Sequence, residues 1–279
     1  MGVKTMKKKY LLLLLIPIFL IYLILGLKNE LVITHYDYYN AKIPAEFDNY
    51  KILQISDLHC KNFGTEQSDL ISSIQACNPD IIVLTGDIID DQKASVKAVY
   101  DLILGLNQQY PIYFVTGNHE LEPSASKSYS DMLDIFKSFN VILLDNSTEV
   151  VEINGHSIYL HGQKFRSRYV VNFLEPANEN HFNILLYHAS DFFDLIAPFN
   201  YDLVLSGHIH GGVVRLPIIG GLLSADGSLF PKYDRGRYTL QHSTLIASAG
   251  LGDAAIPRFY NNPEIVVITL HSETNQNQE

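Results

Sequence analysis

The residues able to do metal and proton chemistry fall in short groups, each directly after an apolar run. Asp57-Leu58-His59 follows residues 52–56, Gly86-Asp87 with Asp90 follows 81–85, and Gly117-Asn118-His119-Glu120 follows 112–116; His188 follows 184–187 and Gly207-His208-Ile209-His210 follows 203–206. Runs this short, bounded by small residues, read as strands buried on both faces, which occur in parallel sheets. Open α/β sheets present their ligands just past the carboxyl ends of strands, so five strand ends bring carboxylate, imidazole and amide groups to one edge. Gly86 lets the chain turn before Asp87, whose carboxylate can there bridge two cations. Asp57 and His59, two apart on an extended segment, project to the same side and can grip one ion. His208 and His210 repeat that spacing, about 7 Å along a strand. Two ions roughly 3.5–4 Å apart could each take one of them. Imidazole with carboxylate suits Mn, Fe or Zn, whereas magnesium prefers oxygen and water.

Asp-x-His, Gly-Asp-x-x-Asp, Gly-Asn-His-Glu, an isolated His and Gly-His-x-His, in that order over roughly residues 50 to 270, resemble the calcineurin-like metallophosphoesterases. The resemblance implies two divalent transition-metal ions. It places His210 with Asp57 and His59 on the first, His208 with Asn118 and His188 on the second, and Asp87 between them. It also implies that Asp90 orients His119, which lies beside Asn118 and is the expected proton donor to the leaving group, attack being by a metal-bound hydroxide. Glu120 reads as a solvated loop carboxylate, and His161 as structural. Relatives often show Asn-Pro-Asp where His188 is followed by Ala189-Ser190-Asp191, which bears on groove shape rather than on the ligands.

The elements that must carry these groups are legible in turn. Strand 50–56, a helix over 65–77 and strand 81–85 form a right-handed βαβ unit. Helices over 95–106 and 129–139 follow, each with apolar residues at helical spacing. Asn154-Gly155 between 148–153 and 157–160 signals a hairpin, and the pattern from there reads as antiparallel. Strands at 183–187, 203–206, 245–248 and 264–270 are too many for one small sheet. The expected fold is α/β, a four-layer αββα sandwich of two mixed β-sheets flanked by helices, as the family resemblance also implies.

Upstream, Lys4, Lys7, Lys8 and Lys9 precede residues 10–27, an almost wholly apolar run that spans roughly 27 Å at the helical rise. No Ala-x-Ala-like site follows it, so a single uncleaved transmembrane helix is expected rather than a removed signal, with the lysines on the cytoplasmic side. The resulting organisation is a basic segment 1–9, an anchor 10–27, a lead-in 28–49, a phosphoesterase domain 50–271 outside the cytoplasm and a disordered tail 272–279. A net charge of -10 argues against nucleic acid as a partner. Cys60 and Cys77 are expected as free thiols. Residues 214–234, rich in Leu, Ile, Gly and Pro, read first as packing under a long loop and second as an apolar lip facing a membrane or lipid tail.

The expected activity is a binuclear metal-dependent phosphodiesterase at the cell membrane, with phosphate esters or phospholipid-like molecules as substrates. A phosphomonoesterase of soluble substrates is the nearer alternative, and a non-catalytic metal-binding scaffold the more distant one.

Overall fold

Alternation along the central strands decides the layering. In a computed structural model describing residues 15–106 and 109–273, strand β3 (Ile81–Leu84) is buried along its whole length. Its Ile81 and Val83 join one apolar cluster while Ile82 and Leu84 join another. The same split holds for β2 (Lys51–Ile55), whose Ile52 faces the first of these clusters and whose Leu53 and Ile55 face the second. A residue period of two therefore gives each strand two apolar faces and the fold two cores on either side of one sheet.

That sheet has six strands in the order β1 (Val32–Asn40), β14 (Glu264–Ser272), β2, β3, β4 (Ile112–Phe114) and β5 (Ile142–Leu143). Residues 28–49, expected as a lead-in, thus contribute β1, which runs parallel to β14 through the full register Val32↔Glu264 to Asn40↔Ser272. The second sheet runs β12 (Gly236–Leu240), β13 (Ser243–Ala247), β9 (Leu203–Gly207), β8 (Asn183–Ala189), β7 (His156–Gly162), β6 (Ser147–Ile153). The expected antiparallel pattern is met only at its edges: β6 pairs β7 and β12 pairs β13 antiparallel, but β7, β8, β9 and β13 run parallel. Fully buried strands such as β8 and β9 need cover on both faces, which crossover connections supply. The β6–β7 turn carries Asn154 and Gly155 at φ 51° and 81°, the doubly left-handed turn that matches strand twist.

Between the sheets lie Tyr38, Phe47, Ile52, Val83, Phe182, Leu205 and Ile268 among others, one continuous core. Helices α2 (Ser68–Cys77), α3 (Lys97–Gly105) and α4 (Ser126–Ser138) cover the outer face of the first sheet with Leu70, Ile74, Leu102, Met132 and Phe136. The outer face of the second is covered more thinly, by the short α5 (Phe193–Ile196) and short 3₁₀ segments at Ser167–Asn172 and Ala197–Phe199. Cys60 and Cys77 are buried free thiols.

Residues 15–26 form a helix, α1, with Leu15, Ile16, Ile18, Phe19, Leu20, Ile21, Ile24 and Leu25 exposed. Residues 10–14 of the same apolar run, the basic segment 1–9 and residues 274–279 of the tail lie outside the described residues. Among the described residues no helix is long and apolar enough to cross a membrane.

Candidate active site

The site is built on loops that are stitched to one another. After β2, the Asp57 N–H donates to the Gly86 carbonyl at 3.0 Å, His59 to that of Asp87 at 3.0 Å and Cys60 to that of Ile88 at 3.1 Å. This pairing needs left-handed backbone at Asp57, His59, Cys60 and Asp87, with φ between 48° and 52°. His208 and His210 are left-handed as well, at φ 78° and 49°. The extended segments expected for both pairs are therefore replaced by coil, and strand alternation plays no part in bringing the side chains together. Left-handed backbone costs a residue other than glycine about 1–2 kcal/mol. Its concentration at one cluster marks a place where tertiary packing overrides local preference. Gly86, at φ 89°, sits where a Cβ would lie 2.7 Å from both Gly117 N and His188 Nδ1, so no side chain fits between the third and fourth loops.

The result is two adjoining groups of donor atoms. In one, His59 Nε2 and His210 Nε2 are 3.1 Å apart and His210 Nε2 is 3.6 Å from Asp57 Oδ1. In the other, His188 Nε2 is 3.0 Å from Asp87 Oδ2, 3.2 Å from Asn118 Oδ1 and 3.2 Å from His208 Nδ1. Asp87 also stands 3.9 Å from His59 Nε2, and Asp57 4.0 Å from His188 Nε2, so each carboxylate faces both groups. Asp57–His59–His210 and Asp87–His188–His208 are each arranged so that their donor atoms could hold a metal ion.

The chemistry of this set fits divalent cations. Asp57 and Asp87 are buried, and their ion-pair partners among the described residues are histidines. Burial pushes the Asp57 carboxyl up to about 6. For Asp87 burial acts in the same direction but is outweighed by His188, His59 and His119, which hold it well below the usual carboxylate range. Burial pushes His59 and His208 down to about 4 and His210 well below the ordinary imidazole value, which keeps them in the neutral form that ligates metals. His188 is the exception: burial opposes its protonation, yet Asp87 raises it to about 10. A cation between these acids relieves the same charge. The Thr85 carbonyl lies 2.8 Å from His188 Nδ1, which fixes that nitrogen as the N–H and turns the Nε2 lone pair toward the site.

His119 stands at the rim, its Nε2 4.0 Å from Asp87 Oδ2 and its backbone N–H donating to Asp87 Oδ1 at 2.8 Å. Asp91 is the acid beside its ring, with Oδ1 2.7 Å from Nδ1 as an ion-pair contact, while the hydrogen bond to that nitrogen comes from the Asp91 backbone N–H at 3.4 Å. Asp90, expected to orient this ring, accepts from Gln92 N–H at 2.9 Å through Oδ1 and pairs with Lys93 at 3.2 Å through Oδ2, and it shares one group of donor atoms with Asp91 and His119. The turn after β3 closes on itself through Asp90, and the next side chain reaches the imidazole.

Glu120 is likewise not a solvated loop residue. It is 2% exposed and its carboxylate accepts four backbone N–H groups: Gly117 at 2.7 Å, Ile88 at 2.7 Å, Asp87 at 2.9 Å and Ile89 at 3.1 Å. Two loops whose amides find no strand partner are thus satisfied by one side chain. Its position directly after Gly117-Asn118-His119 was the available signal. Arg258, which sequence reasoning did not single out, is 1% exposed with Nη2 3.4 Å from His210 Nδ1. A pocket of about 180 Å³ opens over Asp87, Asn118, His119, His208 and His210, walled on one side by Ala225 and Asp226.

Two mixed sheets whose loops gather buried carboxylates, imidazoles and an amide oxygen at one edge, with a partnered histidine beside them, define a metallophosphoesterase, a hydrolase of phosphoric esters. The chain belongs to the calcineurin-like phosphoesterase family, whose profile matches residues 50–212. It is 28% identical to the Bacillus subtilis metallophosphoesterase YkuE over 84% of this chain and 83% of that protein. It is 25% identical to the Escherichia coli phosphodiesterase YaeI over 79% and 82% of the two chains. A Bos taurus protein named as a transmembrane protein with a metallophosphoesterase domain is 25% identical over 83% of this chain and 55% of its own length.

Proposed function

We propose that this enzyme is a membrane-anchored phosphodiesterase with its catalytic domain outside the cytoplasm, acting on phosphodiesters or phosphorylated envelope lipids, including lipid pyrophosphates. The observation that carries the reading is the pair of donor groups facing Asp87 with His119 at their rim. Asp57, His59 and His210 would hold one divalent ion, and Asn118, His188 and His208 a second, with Asp87 facing both. When bound, such ions supply positive charge for the phosphate oxygens and a water of lowered pKa. The chain's own part is to fix and to protonate. Thr85 and Glu120 hold the second group rigid, and the walls at Ala225 and Asp226 narrow the approach. His119, with the Asp91 carboxylate 2.7 Å from its Nδ1, would in its protonated form give the Nε2 proton to the departing alkoxide and be left as the neutral ring. The E. coli relative's name supports a diester, and the lysine-led apolar run with the bovine relative's name supports the membrane location.

The test is elemental analysis of the full chain in detergent, paired with hydrolysis of bis-p-nitrophenyl phosphate and p-nitrophenyl phosphate. Near two divalent metals per chain with faster turnover of the diester is expected. Preference for the monoester would replace the phosphodiesterase reading, and two metals with no turnover of either would favour a metal-binding scaffold.

A further inference from the structure

We propose that the hairpin of β10 (Val214–Leu216) and β11 (Gly220–Leu223), with Leu229 and Phe230 beside it, is a second membrane-contact element that seats the mouth of the active site on a lipid bilayer. The proposal rests on the membrane reading above. At the hairpin tip Ile218 is fully exposed and Ile219 largely so, and Leu229 and Phe230 are exposed too. Ile218 is held at φ 74°, a backbone region a β-branched residue enters only under strain. A strained backbone that points an isoleucine into water gains nothing within the chain, so the partner of this tip lies outside it.

The surroundings name that partner. Phe259 joins the hairpin as a further strand-like neighbour: Arg215 N–H donates to its carbonyl at 2.9 Å and its own N–H to Val213 at 3.0 Å. The next residue, Tyr260, grips the end of α1, with its N–H on the Gly26 carbonyl at 2.6 Å and its hydroxyl on that of Tyr22 at 3.0 Å. The Tyr22 ring packs against both, at 5.7 and 4.9 Å between centroids. Tyr260 and the hairpin also border an open surface groove of about 400 Å³. The exposed apolar tip is therefore continuous with a helix that is apolar on every side and continues the run from residue 10, and a bilayer is the one surroundings that suits both.

The same segment reaches the chemistry. Leu223 pairs with Leu229 and Phe230 N–H donates to the Leu222 carbonyl at 3.0 Å, while Ala225 and Asp226 in the turn between them wall the catalytic pocket. One stretch of some 17 residues, from 214 to 230, thus carries exposed apolar residues at 218–219 and 229–230 and, in the turn between them, the pocket wall at 225–226. Seating the tip in the interface brings phosphate groups at headgroup depth to the donors without lifting a lipid out of the membrane.

The chain contains no tryptophan, which makes the test direct. Full-length Ile218→Trp and Phe19→Trp are each placed in vesicles of phosphatidylcholine and phosphatidylglycerol whose acyl chains are brominated near the headgroup. Both tryptophans are expected to lose most of their emission. Quenching at 19 but not at 218 overturns the hairpin proposal and leaves the anchor standing; quenching at neither overturns the membrane reading itself. The double variant Ile218→Asp, Ile219→Asp is expected to match the parent on bis-p-nitrophenyl phosphate in detergent and to fall severalfold on a phosphodiester carried in vesicles. Equal rates of variant and parent on the vesicle-borne diester overturn the proposal.

Discussion

The two donor groups draw on the same sheets and the same kinds of ligand, but they are backed differently. Behind Asp87 and His188 stand acceptors. The Thr85 carbonyl takes the His188 Nδ1–H, and Glu120 gathers the amides of both adjoining loops. Behind Asp57 and His210 stands a cation: Arg258 donates to the carbonyls of Gly252 at 2.7 Å, Ala249 at 2.8 Å and Gly250 at 3.2 Å, and touches the His210 ring. An acceptor on the far nitrogen of an imidazole raises its basicity, whereas a guanidinium there lowers it and repels a metal ion. Similar ligand sets therefore do not imply similar affinity, because what lies behind the ligands sets their charge.

The sharpest way to break this comparison is Asp87→Asn, which removes the carboxylate that faces both groups. Diester hydrolysis is expected to fall below detection and elemental analysis to show loss of metal from both groups; a variant that keeps two metals and most of its activity would deny Asp87 its central place. Next in size is His119→Ala, expected to lower turnover by about 10²–10⁴ with metal content unchanged. Loss of metal in that variant would make His119 a ligand, since it also stands near His59 and Asp87.

Asp91→Asn and Asp90→Asn then separate the two acidic neighbours. A carboxylate this close to an imidazole shifts its pKa by about one unit or more, so Asp91→Asn, which removes the charge 2.7 Å from His119 Nδ1, is expected to cut turnover by roughly tenfold and Asp90→Asn by less. The reverse order, read in steady-state kinetics, would return the orienting role to Asp90. The smallest effect concerns the groups themselves. Titration with a chelator is expected to remove metal in two stages, the ion beside Arg258 leaving first with an affinity lower by about 10–100-fold; one concerted loss would mean that the two backings are equivalent.

How far the chain could be read in advance depended on how local the physics was. Strands at 51–55, 81–84, 203–207 and 264–272, and helices at 68–77, 97–105 and 126–138, are visible because period-two and helical apolar patterns record which face is buried. Asp57, His59, Asp87, Asn118, His188, His208 and His210 were legible as a set because each follows such a strand, and parallel strands end on the same edge. Asp91 was not. Asp90 and Asp91 are adjacent acids on one turn, and which of them meets His119 is settled by how that turn closes on Gln92 and Lys93. Glu120 was misread for a related reason: its partners are the backbone amides of Asp87, Ile88, Ile89 and Gly117, on two loops that only the folded chain brings to one side chain.

Residue types and their spacing were enough to establish an α/β chain with a metal-capable edge and an apolar run near its start, since burial and strand period are written into each segment. The parallel centre of the second sheet, the coil conformation of the ligand pairs, the cation behind His210 and the exposed tip beside α1 came only with the assembled molecule. Each of these depends on groups far apart in the chain meeting at hydrogen-bond or van der Waals distance. Only packing decides which of the many such meetings occurs.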